Sequence, residues 1–225
     1  MRETKIELHN SKTKIMMKHS YLQMCGIVAL GLGMLTSTAL GASQQQLASS
    51  ISDARGESLR THDQLNSTLQ ALNALTKQSS GDLRPAYDAF AAEIPKTEAA
   101  AQTTRTRLQW MQGDGQRYFE GWQTDINTIS NESLRKKAQK RLNSVKKSYD
   151  NVAEELKEAG EKFNPFLSDL KDVQKTLAND VTQGGVKAVR STVRSANWNY
   201  KSVNASIINA VDEMTKMEKA LSTQT

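Results

Sequence analysis

The chain has one cysteine, three histidines and three prolines among its 225 residues, and aromatic residues make up 5% of it. A lone thiol, Cys25, excludes an intrachain disulfide. Because His62 is the one histidine after residue 41, the chain cannot assemble a Cys/His or Ser/His nucleophile or a zinc site of several imidazole or thiolate ligands. Few prolines, with abundant Ala, Leu, Lys, Glu and Gln, favour long helices over a sheet.

The excess of positive over negative charge in the chain is also small. The formal net charge is +6, but residues 1–41 hold five Lys/Arg and two Asp/Glu, so the remainder carries +3. A nucleic-acid-binding protein would carry a stronger basic footprint. The chain also lacks a glycine-rich phosphate loop and the Glu-x-x-His spacing of di-iron bundles. We therefore predict no enzyme activity, no cofactor, no metal site and no nucleic-acid partner.

Residues 1–42 are predicted to be an amino-terminal extension followed by a secretory signal peptide. A basic flank precedes an apolar run over residues 24–40, and Ala39 and Gly41 suit cleavage after Gly41. A start at Met16 or Met17 would give a signal of ordinary length. The run falls short of the roughly 20 apolar residues that a spanning helix needs. These features predict export to the periplasm, with an uncleaved membrane anchor as the alternative.

The most regular pattern in the chain covers residues 145–177, where apolar or small residues recur at alternating steps of four and three. They are Val145, Tyr149, Val152, Leu156, Ala159, Phe163, Phe166, Leu170, Val173 and Leu177. This period of 3.5 residues is typical of a helix that keeps one narrow stripe against partner helices.

Three further stretches carry the same period, and short turns separate all four. The pattern predicts a single domain over residues 43–225, with helices at about 44–77, 83–129, 131–181 and 186–222. Gly81 and the pair Gly184-Gly185 are predicted to end helices in the left-handed conformation. Short connections place consecutive helices antiparallel, so we expect an all-α, elongated, up-down-up-down four-helix bundle or coiled coil.

The second half of the chain resembles a bacterial envelope family that is catalogued only as a domain of unknown function. The residues that carry the resemblance are Ile129-Ser130-Asn131-Glu132-Ser133-Leu134-Arg135, Tyr149, Pro165-Phe166-Leu167, the run from Leu170 to Leu177, Gly81-Asp82-Leu83 and Trp122. The resemblance implies a helical, exported protein and supplies no activity. Family members often carry a lipoprotein signal, whereas Cys25 precedes most of the apolar run, which does not suit lipid attachment.

One surface is predicted to bind a partner. Residues 135–147 contain seven basic residues and no acidic one, and helical geometry places five of them on one face. That face holds Lys136, Lys137, Lys140, Arg141 and Lys147, with Tyr118, Phe119 and Trp122 nearby on the antiparallel helix. The alternative is an ordinary solvated face of a coiled coil. Unequal helix lengths further predict that residues 115–145 project as a bare two-helix end that leaves aromatic surface exposed.

The function predicted from these features is that of a non-enzymatic, exported envelope protein with a structural or interaction role. Its partner would be an envelope protein or a cell-wall polymer that docks at the projecting hairpin. The alternative is a peripheral protein that binds anionic membrane lipid through the basic face. Association into a homo-oligomer is also open.

Overall fold

The computed structural model describes residues 34–222, with side chains described from residue 40 onward. These residues form five α-helices and no strand, which confirms the predicted all-α fold. The helices are α1 (Met34–Lys77), α2 (Arg84–Asn127), α3 (Glu132–Asn179), α4 (Gln183–Ala188) and α5 (Arg190–Ser222). The chain divides into two compact units, Met1–Ala42 and Ser43–Thr225.

Most of the predicted signal peptide, including Cys25, lies outside the described residues. Helix α1 is described from Met34 rather than from near residue 44. Within residues 34–222, none of the helices has the length and apolar character needed to cross a membrane.

Hydrogen bonds between the long helices show how they pair within the second unit. Residue numbers fall along one helix as they rise along its neighbour, so α1–α2, α2–α3, α3–α5 and α5–α1 are each antiparallel. The bonded pairs are Gln46 with Asp114, Gln64 with Glu93, Tyr87 with Gln174, Gln123 with Gln139, Lys162 with Ser206, Asp169 with Asn199, Asn66 with Tyr200 and Asn73 with Asn197. Each long helix therefore contacts two others around a shared core.

The core follows the 3.5-residue spacing closely. In the stretch over residues 145–177 every member of the stripe is buried except Leu156, which is half-buried. The stripe of α1 is buried even where it is polar, at Ser58, Thr61 and Thr68. There, hydroxyl groups find partners inside the bundle: the Oγ1 atoms of Thr68 and Thr97 lie 2.7 Å apart. Burial of these hydroxyls is tolerated because their hydrogen bonds are satisfied.

The turn between α1 and α2 agrees with the prediction for Gly81, whose φ of 83° lies in the left-handed region. Before α3, the Asn131 side chain accepts a hydrogen bond from the Leu134 N–H at 3.0 Å and caps the helix.

The prediction that Gly184 and Gly185 stop a helix in the left-handed conformation is wrong. Helix α3 already ends at Asn179, and both glycines lie in the first turn of α4. Thr182 caps this turn by accepting a hydrogen bond from the Gly185 N–H at 3.2 Å. A Cβ on Gly185 would lie 2.1 Å from the Asp180 carbonyl oxygen, so the glycine serves a close backbone approach.

Candidate functional site at the end of the hairpin

We call the side chains of Lys136, Lys137, Lys140, Arg141 and Lys147 the basic face, and all five are exposed. Helix α3 carries them on the side opposite Leu142 and Val145, which are buried. Lys136 forms an i,i+4 ion pair with Glu132 at 2.7 Å. Within the described residues, no ion pair joins the other four cations to a carboxylate. The basic face therefore presents concentrated positive charge to solvent.

Aromatic residues do not accompany this charge at the surface, contrary to expectation. Tyr118 and Phe119 are buried, and Trp122 is half-buried. The three rings pack with Tyr149 of α3 into what we call the aromatic cluster. Its centroid distances are 5.3 Å for Tyr118–Phe119, 5.5 Å for Tyr118–Trp122 and 5.4 Å for Phe119–Tyr149. Edge-to-face and tilted pairs at these distances stabilise a core, so the rings hold the hairpin together.

A missing side chain makes room for the aromatic cluster. A Cβ built on Gly115 of α2 would lie 2.5 Å from the Tyr149 ring, so only glycine permits this approach. The Tyr149 hydroxyl reaches past it and donates a hydrogen bond to the Met111 carbonyl oxygen at 3.0 Å. The contact of Gly115 with Tyr149 therefore joins α2 to α3.

Burial also alters the acidity of two phenols in this cluster. Loss of solvent raises the pKa of Tyr149 to about 12, and the nearby carboxylates of Asp150 and Asp114 push in the same direction. Loss of solvent likewise raises the pKa of Tyr118 to about 12, against the smaller opposing effect of the Arg141 cation. Both hydroxyls therefore stay protonated at any physiological pH.

The expected bare two-helix end stays a prediction on the side of α1, because residues 34–42 of that helix belong to the first compact unit. The hydrogen bonds of Lys162 to Ser206 and of Asn209 to Glu155 give the register of α3 against α5. If this register is continued along the two helices, roughly the first ten residues of α3 lie beyond the described end of α5. The basic face begins in this stretch.

A second cationic surface was missed in the sequence. Lys187, Arg190, Arg194 and Lys201 are exposed along one side of α4 and α5, and Trp198 among them is 71% exposed. We call these five residues the α5 stripe. In the sequence, the α5 stripe can be found as basic or aromatic residues that recur at steps of three and four, which is the spacing of one helix face.

The partner-binding residues predicted from the sequence thus divide into two groups. The five cations share one exposed face, whereas two of the three aromatic residues point into the core. Leu134 is 55% exposed, but at 3.6 residues per turn it lies on the same side of α3 as Val145, away from most of the basic face. Residues 34–222 contain no group of three or more His, Cys, Asp or Glu side chains placed to hold a metal ion.

Comparison with known proteins gives one match. The sequence profile of a family described as "Protein of unknown function (DUF2959)" matches residues 37–221, which is most of the chain. The chain belongs to this family. Membership of the DUF2959 family confirms the resemblance drawn from the second half of the sequence and extends it to α1. No curated protein and no solved structure matches the chain significantly.

Proposed function

We propose that this DUF2959 protein is a non-enzymatic, exported protein that docks on an anionic membrane surface through the basic face. The observation that carries the proposal is the exposure of all five cations on one side of α3. Each Lys or Arg near an anionic bilayer contributes about 1 kcal/mol of attraction.

Burial of the aromatic residues favours a lipid surface over a protein partner. Protein interfaces draw most of their binding energy from Tyr, Trp and Arg anchors seated in pockets. Here Tyr118 and Phe119 face inward, and the exposed part of the hairpin end is an array of cations on long side chains. Such an array suits a diffuse layer of charged headgroups better than a shaped protein pocket.

The lipid proposal is tested by co-sedimentation of the chain from residue 43 onward with vesicles of defined composition. We expect binding to vesicles of phosphatidylcholine with 30% phosphatidylglycerol, little binding to phosphatidylcholine alone, and a steep loss of binding above about 0.5 M salt because the interaction is electrostatic. Equal binding to neutral vesicles, or no binding to either kind, would contradict the proposal. Capture of an acidic protein instead would favour a protein partner.

Export is tested separately, by amino-terminal sequencing of the protein produced from the full-length sequence in a bacterial host. A mature terminus at Ala42 in the periplasmic fraction is expected from the small residues Ala39 and Gly41. An intact segment over residues 24–40 in the membrane fraction would favour the anchor.

A further inference from the structure

A groove of about 540 Å³ lies between α1 and α2, away from the basic face. Its volume falls within the range of about 300–1,000 Å³ found for small-molecule sites. The lining is polar except for one indole ring. Its residues are Gln46, Ser49, Ser50 and Asp53 from α1, and Arg107, Gln109, Trp110, Gly113, Asp114 and Arg117 from α2.

The charged groups of the groove neutralise one another. Asp53 and Arg107 form an ion pair across the two helices at 3.6 Å, and Asp114 pairs with Arg117. Asp114 is only 5% exposed and also accepts a hydrogen bond from the Gln46 amide at 3.4 Å. Because two cations face two carboxylates, the groove gives no advantage to a polyanion such as a nucleotide. It does place N–H donors beside oxygen acceptors.

Trp110 supplies an aromatic surface in the same groove. The Arg107 guanidinium lies 4.6 Å from the centroid of the indole and fixes its orientation, yet the residue remains 55% exposed. The negatively charged π face of an indole attracts weakly positive C–H groups.

We propose that this groove binds an uncharged carbohydrate chain, with one pyranose ring stacked on Trp110. One face of a pyranose is lined with C–H groups, which suit the indole, while its rim carries vicinal hydroxyls that both donate and accept. The Asp53–Arg107 pair offers an acceptor and a donor 3.6 Å apart, and the Arg117 guanidinium offers further donors.

The probes for this site are chitotetraose in its N-acetylated form, cellotetraose and maltotetraose, titrated by isothermal calorimetry and by intrinsic tryptophan fluorescence. We expect saturable binding of at least one. Trp110→Ala should lower its affinity at least tenfold, and Asp53→Asn should lower it severalfold. Both side chains are largely exposed, so neither change should affect folding. Arg117→Gln is a poor test because it would leave the buried Asp114 carboxylate unpaired.

Trp198→Ala is the matched control, because it removes a second exposed indole far along the chain from the groove. It should leave carbohydrate binding unchanged. The proposal is overturned if none of the three oligosaccharides binds, or if binding survives Trp110→Ala at full affinity. It is also overturned if Trp198→Ala weakens binding as much as Trp110→Ala does. Melting temperature and circular dichroism check that each variant is folded.

Discussion

On the inner face of the α2–α3 hairpin, rings pack against rings and against the bare backbone of Gly115, whereas on the outer face cations stand apart in solvent. The inner contacts are close and shape-dependent: a single added methyl group would overlap Tyr149. The outer groups, by contrast, are exposed and have few ion-pair partners. The inner face carries the packing of the hairpin, whereas the outer face carries the proposed membrane binding. Separate substitutions can therefore test the two faces.

The largest expected effect on stability comes from the inner face. Gly115→Ala should destabilise the protein by about 1–3 kcal/mol, because the new Cβ forces Tyr149 out of a packed position. At about 2–4 °C per kcal/mol for a domain of this size, the melting temperature should fall measurably.

The matched control is Gly113→Ala, two residues away in the same helix. A Cβ there meets only the mobile end of Arg117 at 3.7 Å, and alanine favours a helix over glycine by about 1 kcal/mol. This change should therefore raise the melting temperature. Equal responses of the two variants would show that the contact between Gly115 and Tyr149 does not shape the hairpin.

A smaller loss of stability is expected from Tyr149→Phe. The change keeps the ring but removes the hydroxyl that donates to the Met111 carbonyl oxygen. Loss of one such buried hydrogen bond costs about 1 kcal/mol. Urea unfolding monitored by circular dichroism measures the difference, and an unchanged midpoint would mean that the hydrogen bond adds nothing to the packing of the ring.

Alkaline pH should weaken the inner face selectively. Burial raises the pKa of Tyr118 and Tyr149 to about 12, while in the unfolded chain it is about 10. Between these values the unfolded state releases protons that the folded state keeps, so the free energy of unfolding falls as pH rises. Below about pH 9 the two phenols contribute no pH dependence. Between pH 8 and pH 11 the free energy of unfolding should fall less for Tyr149→Phe than for the wild type. An identical fall would contradict the raised pKa of Tyr149.

The heptad-like spacing predicts most of the interior because burial in a helical bundle depends on local periodicity. The spacing does not identify Phe119 and Ile126 of α2, which are both buried. Phe119 packs against Tyr149, which lies about 30 residues further along the chain. The same limit applies to the groove at Trp110, because Asp53 and Gln46 reach it from another helix. Neither arrangement leaves a periodic signal in the sequence.

The basic face could be predicted from the sequence because it depends on one helix alone. Seven cations within thirteen residues of one helix define a charged surface whatever the neighbouring helix does. What sequence could not supply was the orientation of Tyr118 and Phe119, since an aromatic residue next to a seam position suits either the core or the surface. Their burial changed the expected partner from a protein to a lipid surface.

The smallest effect on stability, and the largest on binding, is expected from the outer face. The variant Lys136→Gln, Lys137→Gln, Lys140→Gln and Arg141→Gln should change the free energy of unfolding by less than about 1 kcal/mol, because exposed charges stabilise little. A control variant with the same loss of charge replaces the four cations of the α5 stripe by glutamine. They are Lys187, Arg190, Arg194 and Lys201.

The affinity of these two variants for vesicles with 30% phosphatidylglycerol tests the central claim most directly. At about 1 kcal/mol per cation, loss of the four hairpin charges should weaken binding by roughly three orders of magnitude. Loss of the four stripe charges should leave most of the affinity, since the basic face stays intact. If the stripe variant loses binding and the hairpin variant keeps it, the membrane surface is docked by α5 and the assignment of the basic face is wrong.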